Sequence, residues 1–135
     1  MEKFRTVLGK IPTGVPTCIV VAAILWLTLV PRPVGDLELP LFPGADKIAH
    51  GLMFMGLALI VLLENIKRKG WQELSMVRIG TICFICAGFG IGTELLQRAM
   101  HLGRTFETLD MLADAAGAMG AGGIWLIVQD IIAIK

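Results

Sequence analysis

Asp46 to Leu63 reads DKIAHGLMFMGLALIVLL. Asp46, Lys47 and His50 stand at its head, and nothing ionisable follows from Gly51 to Leu63. The stretch approaches the ~20 apolar residues that a helix needs to cross a hydrocarbon core. Three more stretches have the same character. One runs from about Val15 to Val30. The next, about 77–97, closes on Glu94 and Gln97. The last, about 110–127, opens on Asp110 and Asp114. Strands are excluded, because every backbone amide in lipid must be paired within the protein and four segments cannot close a barrel. The expected fold is therefore all-α: one domain over residues 1–135, an integral membrane bundle of four transmembrane helices.

Composition agrees. The chain is 56% hydrophobic and 17% charged, with a mean hydropathy of +0.77, where a soluble domain would carry about 25% charge. The formal charge of +1 gives no reason to expect nucleic acid as a partner. Cys18, Cys83 and Cys86 all fall in apolar stretches and read as small buried hydrophobes. Cys83 and Cys86 have redox spacing but no βαβ context around them. Lys3, Arg5 and Lys10 before the first stretch resemble the start of a signal peptide. No A-x-A-like site follows, and Pro31-Arg32-Pro33 stops the helix, so a retained span is expected. Residues 64–76 and 98–109 read as polar connections. Trp125 reads as an interfacial anchor.

Lys and Arg set the orientation. With alternating spans, eight of the twelve lie on the side of the termini and four on the other. The positive-inside rule then places both termini in the cytoplasm. The head of the second span, the end of the third and the head of the fourth all face outward.

Those three ends carry the polar residues. Asp46, Lys47 and His50 are spaced to share one helix face, Glu94 lies three before Gln97, and Asp110 lies four before Asp114. His50, Glu94 and Asp114 each fall about one turn inside the boundary, which makes them the candidate catalytic or proton-handling groups. An ionisable residue in a span is a functional-site hypothesis by default. Lys47, Gln97, Arg104, Thr105 and Asp110 are candidate binding residues. Arg104 is the cation whose planar fork can bridge two carboxylates, and it is expected to fold back over Glu94 or Asp114. Asp46 is the expected N-cap of the second span. Ala113, Gly117 and Ala121 repeat the small-xxx-small spacing that lets membrane helices approach, and Gly120 and Gly123 extend that face. Gly117, Gly120 and Asp46 therefore read as structural. His50, Glu94 and Asp114, with His101, are also metal-ligand types. No metal or other cofactor is assigned, since a His-Glu-x-x-His spacing is missing.

In this order, the residues resemble the VanZ-like family of small bacterial membrane proteins. The likeness runs through Asp46-Lys47-Ile48-Ala49-His50, Glu94-Leu95-Leu96-Gln97, Arg104-Thr105 with Asp110, and Asp114-Ala115-Ala116-Gly117 with Gly120 or Gly123. It covers about residues 46–123. The chain departs from the family pattern at Asp114, where Asn is frequent, and at Gly51, where an aromatic often follows the His. The family takes its name from an accessory protein of glycopeptide resistance, linked to reduced teicoplanin susceptibility. The resemblance implies an envelope role at the outer face of a bacterial cytoplasmic membrane.

Three functions fit. One is a pocket that binds or modifies a membrane lipid, a lipid-linked cell-wall intermediate or a lipoglycopeptide, drawn by outward helix N-termini, Lys47 and Arg104. Another is an enzyme in which His50 is the acid or base, oriented by Glu94 or Asp114. The third is a structural subunit whose polar layer fixes helix register for a protein partner.

Overall fold

A computed structural model describes residues 1–30, 44–100 and 108–133. Among them every regular element is a helix: α1 (Glu2–Gly9), α2 (Val15–Leu29), α3 (Ala45–Arg68), α4 (Met76–Met100) and α5 (Thr108–Ile132). Three of these, α3, α4 and α5, are long and apolar enough to cross a membrane, and α2 is a shorter apolar helix.

The helices are longer than the apolar runs that define them. α3 continues five residues past Leu63, through the stretch expected to be a connection. It can do so because Glu64 finds partners. Its Oε1 accepts from the Gly14 amide at 3.1 Å and its Oε2 from the Thr17 hydroxyl at 2.7 Å. The carboxylate thus serves the start of α2, whose first-turn amides have no partners of their own. α5 likewise continues past Gln129, because that side chain is buried and accepts from the Leu74 amide at 3.2 Å. α1 was not expected from the apolar pattern. Arg5 ties it to the far end of the chain, donating to the Ile132 carbonyl and stacking over Trp71 at 5.6 Å.

One cap differs from expectation. Gly44, in left-handed conformation at φ 87°, is the N-cap of α3, with no side-chain capping bond. Asp46 is the second residue inside the helix, past the cap position. At α4 the Ser75 hydroxyl accepts from the Arg78 amide at 3.3 Å, the usual capping geometry. Between α3 and α4 the chain reverses through Gly70 and Trp71, both at positive φ.

The core follows helical periodicity. On α3 it is His50, Phe54, Leu57, Ala58, Leu62 and Ile66, and on α5 it is Asp114, Gly117, Ala118, Ala121 and Trp125. α3 and α5 form the most intimate pair. A Cβ on Gly117 would collide with the Gly51 carbonyl and stand 2.7 Å from its carbon, so the two backbones touch. Three expectations are corrected here. Gly123 is exposed and faces open space, and Gly122, packed on Cys83, takes its place against α4, while Gly120, though exposed, stays within van der Waals reach of Met55 on α3. Trp125 is buried in the core and is no interfacial anchor. Cys18 is exposed, whereas Cys83 and Cys86 are buried as expected.

α2 packs more lightly. It is fastened at its first turn by Glu64, and at its last by Gln97, whose Nε2 donates to the Thr28 carbonyl. Between these ends an apolar cleft of about 420 Å³ separates it from α3 and α4, lined by Val21, Leu57, Ile82 and Phe89 among others. Helices α2 to α5 therefore alternate in direction. One end of the bundle gathers the C-termini of α2 and α4 with the N-termini of α3 and α5.

Candidate functional site

That end holds the polar layer. The first turns of α3 supply Lys47 and His50, the last turns of α4 supply Glu94 and Gln97, and the first turns of α5 supply Asp110 and Asp114. Glu94 is 1% exposed and Asp114 0% exposed; His50, Gln97 and Asp110 are also buried. The Nδ1 of His50 lies 3.0 Å from Asp114 Oδ1 and 3.6 Å from Glu94 Oε1. An ionised carboxylate only accepts, so opposite an ionised Asp114 the Nδ1 is the donor. One histidine thus links three helices.

Asp114 owes its position to glycine. A Cβ on Gly90 would stand 2.7 Å from the Asp114 Cβ, so only glycine on α4 lets this carboxylate reach the interior. The Asp114 Oδ2 is buried and accepts no hydrogen bond among the described residues. Nearer the surface, Lys47 Nζ approaches Asp110 Oδ1 at 3.5 Å, with the lysine partly exposed. Phe54, one turn below His50 on α3, packs on Phe89 of α4 with ring centroids 5.9 Å apart. This pair floors the polar layer and separates it from the apolar interior.

A second feature adjoins the layer. An open groove of about 390 Å³ starts at Lys47 and runs inward between α3 and α5, past Gly51, Leu52 and Gly117 to Met55. Its walls are apolar side chains, and its narrow waist is the Gly51–Gly117 contact.

The structure therefore brings His50, Glu94, Asp114, Gln97, Asp110 and Lys47 to one end of the bundle. Arg104, Thr105, His101 and the Asp46 side chain lie outside the described residues, and the expected closure of Arg104 over the acids lies there too. Arg98 is exposed in the last turn of α4.

Sequence reasoning passed over three contributors. Thr28 is buried; its hydroxyl donates to the Ile24 carbonyl at 2.7 Å while its own carbonyl serves Gln97. A hydroxyl within an apolar run was the available signal. Gly90 is the second, and its place four residues before Glu94 puts both on one face. Thr93, buried beside Glu94, donates to the Gly90 carbonyl at 2.8 Å. No known protein family, curated protein or solved structure matches this chain.

Proposed function

We propose that this chain is a VanZ-like protein of the bacterial cytoplasmic membrane that binds or modifies the polar head of a molecule resident in the outer leaflet. A lipid-linked cell-wall intermediate or a lipoglycopeptide is the ligand type. The observation that carries the reading is the His50 centre: one imidazole held at 3.0 Å by a fully buried carboxylate and 3.6 Å from another, on three helices. Taking charged groups into a span costs roughly 2.5–3.5 kcal/mol each at its centre. Interhelical hydrogen bonds return about 0.6 kcal/mol on average. A layer this rich in ionisable groups exceeds what register alone requires. The groove from Lys47 to Met55 supports an amphiphilic ligand, because a chain can lie along its apolar walls while its head meets the layer.

In this reading α2 is the fourth span, both termini are cytoplasmic and the His50 layer faces outward. The fastening of α2 at both ends supports the first point, and the Lys and Arg distribution supports the other two. His50, once charged by a proton, has Asp114 to stabilise it, which equips it to pass protons to or from a bound head group.

The test pairs folding with phenotype. His50→Gln, Glu94→Gln and Asp114→Asn are purified in detergent, and the same variants are expressed in cells scored for teicoplanin susceptibility and envelope stress. Folded variants that lose the phenotype support a working site. Variants that keep the full phenotype, or a phenotype that tracks loss of folding alone, refute it.

A further inference from the structure

We propose that His50, Glu94 and Asp110 form a site for a divalent first-row transition ion, Zn²⁺ or Mn²⁺, with Asp114 as the carboxylate that orients His50. A ring nitrogen of His50, a carboxylate oxygen of Glu94 and one of Asp110 lie within 4.8 Å of one another, and all three residues are buried. Ions of this class hold nitrogen and oxygen ligands at about 2.0–2.2 Å, so the three atoms need to close by only on the order of 1 Å to share one ion.

Three further features fit. Metal-ligating histidines usually keep a carboxylate partner on the other ring nitrogen, and Asp114 is in hydrogen-bond contact with His50. The second oxygen of Asp114, on a fully buried side chain aimed at this histidine, accepts no hydrogen bond among the described residues. The ligands come from three helices, so the ion would clasp the bundle at one end and keep part of its coordination shell for a ligand or water.

The donor set selects the ion. One imidazole with carboxylates suits zinc or manganese, whereas calcium and magnesium favour oxygen alone and copper(I) favours sulfur. The nearest thiol, Cys86, lies about two turns from Glu94 along α4 and takes no part.

The full chain in detergent, stripped with a chelator, is equilibrated with Zn²⁺ or Mn²⁺, and retained metal is counted by mass spectrometry. One ion per chain is expected. Glu94→Gln and Asp110→Asn should weaken it at least tenfold, while Asp130→Asn on the exposed end of α5 should not. Pulsed magnetic resonance of the Mn²⁺ form should show nitrogen coupling from His50, lost in His50→Gln. No retained ion, equal uptake by Glu94→Gln and Asp110→Asn, or a bound Mn²⁺ without nitrogen coupling overturns the site. The nitrogen coupling is read on the unaltered chain, so a variant that fails to fold does not shelter the proposal. This inference rests on the polar layer being a working site. A phenotype lost in the variants of a protein that binds no ion overturns the metal alone. One bound ion with phenotype intact in every variant overturns the functional reading alone.

Discussion

At the scale of the residue, His50 and Asp114 set the character of the layer. Each would be unfavourable alone at this depth, and each answers the other at 3.0 Å. A double-mutant cycle with His50→Ala and Asp114→Ala should give a coupling of about 1–1.7 kcal/mol, the upper part of the range for interhelical bonds in membranes. Detergent-induced unfolding of the four proteins measures it, and a coupling near zero would show that the contact is not energetically real. Asp114→Asn should behave differently. Its amide oxygen still accepts the Nδ1 hydrogen while the buried charge is gone, so stability in the same assay should equal or exceed that of the unaltered chain. A large loss there would mean that the charge itself holds the histidine.

At the scale of the element, close approach of α3 and α5 decides whether the layer can assemble. Gly117 is the contact point. A methyl there meets Gly51 backbone, which has no flexible end to move aside, so Gly117→Ala should destabilise by about 1–3 kcal/mol. Gly123→Ala, which meets nothing within 4 Å, should stay within about 0.5 kcal/mol. Equal effects in a detergent unfolding series would refute the asymmetry. Glu64 does for α2 what the glycines do for α5, and Glu64→Ala removes acceptors from Gly14 and Thr17. Amide exchange should then rise in the first turns of α2 and not in α5; uniform protection would show that α2 is held by other means. Legibility divides along the same line. The apolar runs exposed the four helices, because lipid leaves the backbone almost no alternative. The spacing of Asp46 to His50, Glu94 to Gln97 and Asp110 to Asp114 marked the polar layer. Helix ends were misread where a polar residue found a partner far along the chain, as Glu64 did at Gly14 and Gln129 at Leu74. Such a partner is invisible to local pattern. The choice among Gly117, Gly120 and Gly122 was equally hidden, since it depends on the rotation of α5 and not on its composition.

At the scale of the whole molecule, two polar layers bracket an apolar middle. His50 and Glu64 are 14 residues apart on α3, about 21 Å along its axis, which fits inside a hydrocarbon core of about 30 Å with a margin at each face. The outer surface over that length is apolar, with Phe84 76% and Ile127 74% exposed. An aqueous protein rarely leaves so much large apolar surface open; a bilayer covers it. Within this frame α2 is decisive for topology. It is fifteen residues long, short for a span, yet its two ends reach the two polar layers. If it crosses, the chain makes an even number of passages and its two ends share a compartment. If it does not, α3, α4 and α5 alone leave the ends on opposite sides. In the proposed reading the excess of Lys and Arg beside Glu64 and the termini puts that compartment in the cytoplasm. A fluorescent protein should therefore glow when fused at either end, and alkaline phosphatase should be inactive at both. Phosphatase inserted just after Met100, where α4 ends at the His50 layer, should be active. Phosphatase active at one terminus alone would remove α2 from the spans. Activity at both would turn the bundle over, and the His50 layer would then meet ligands from the cytoplasm.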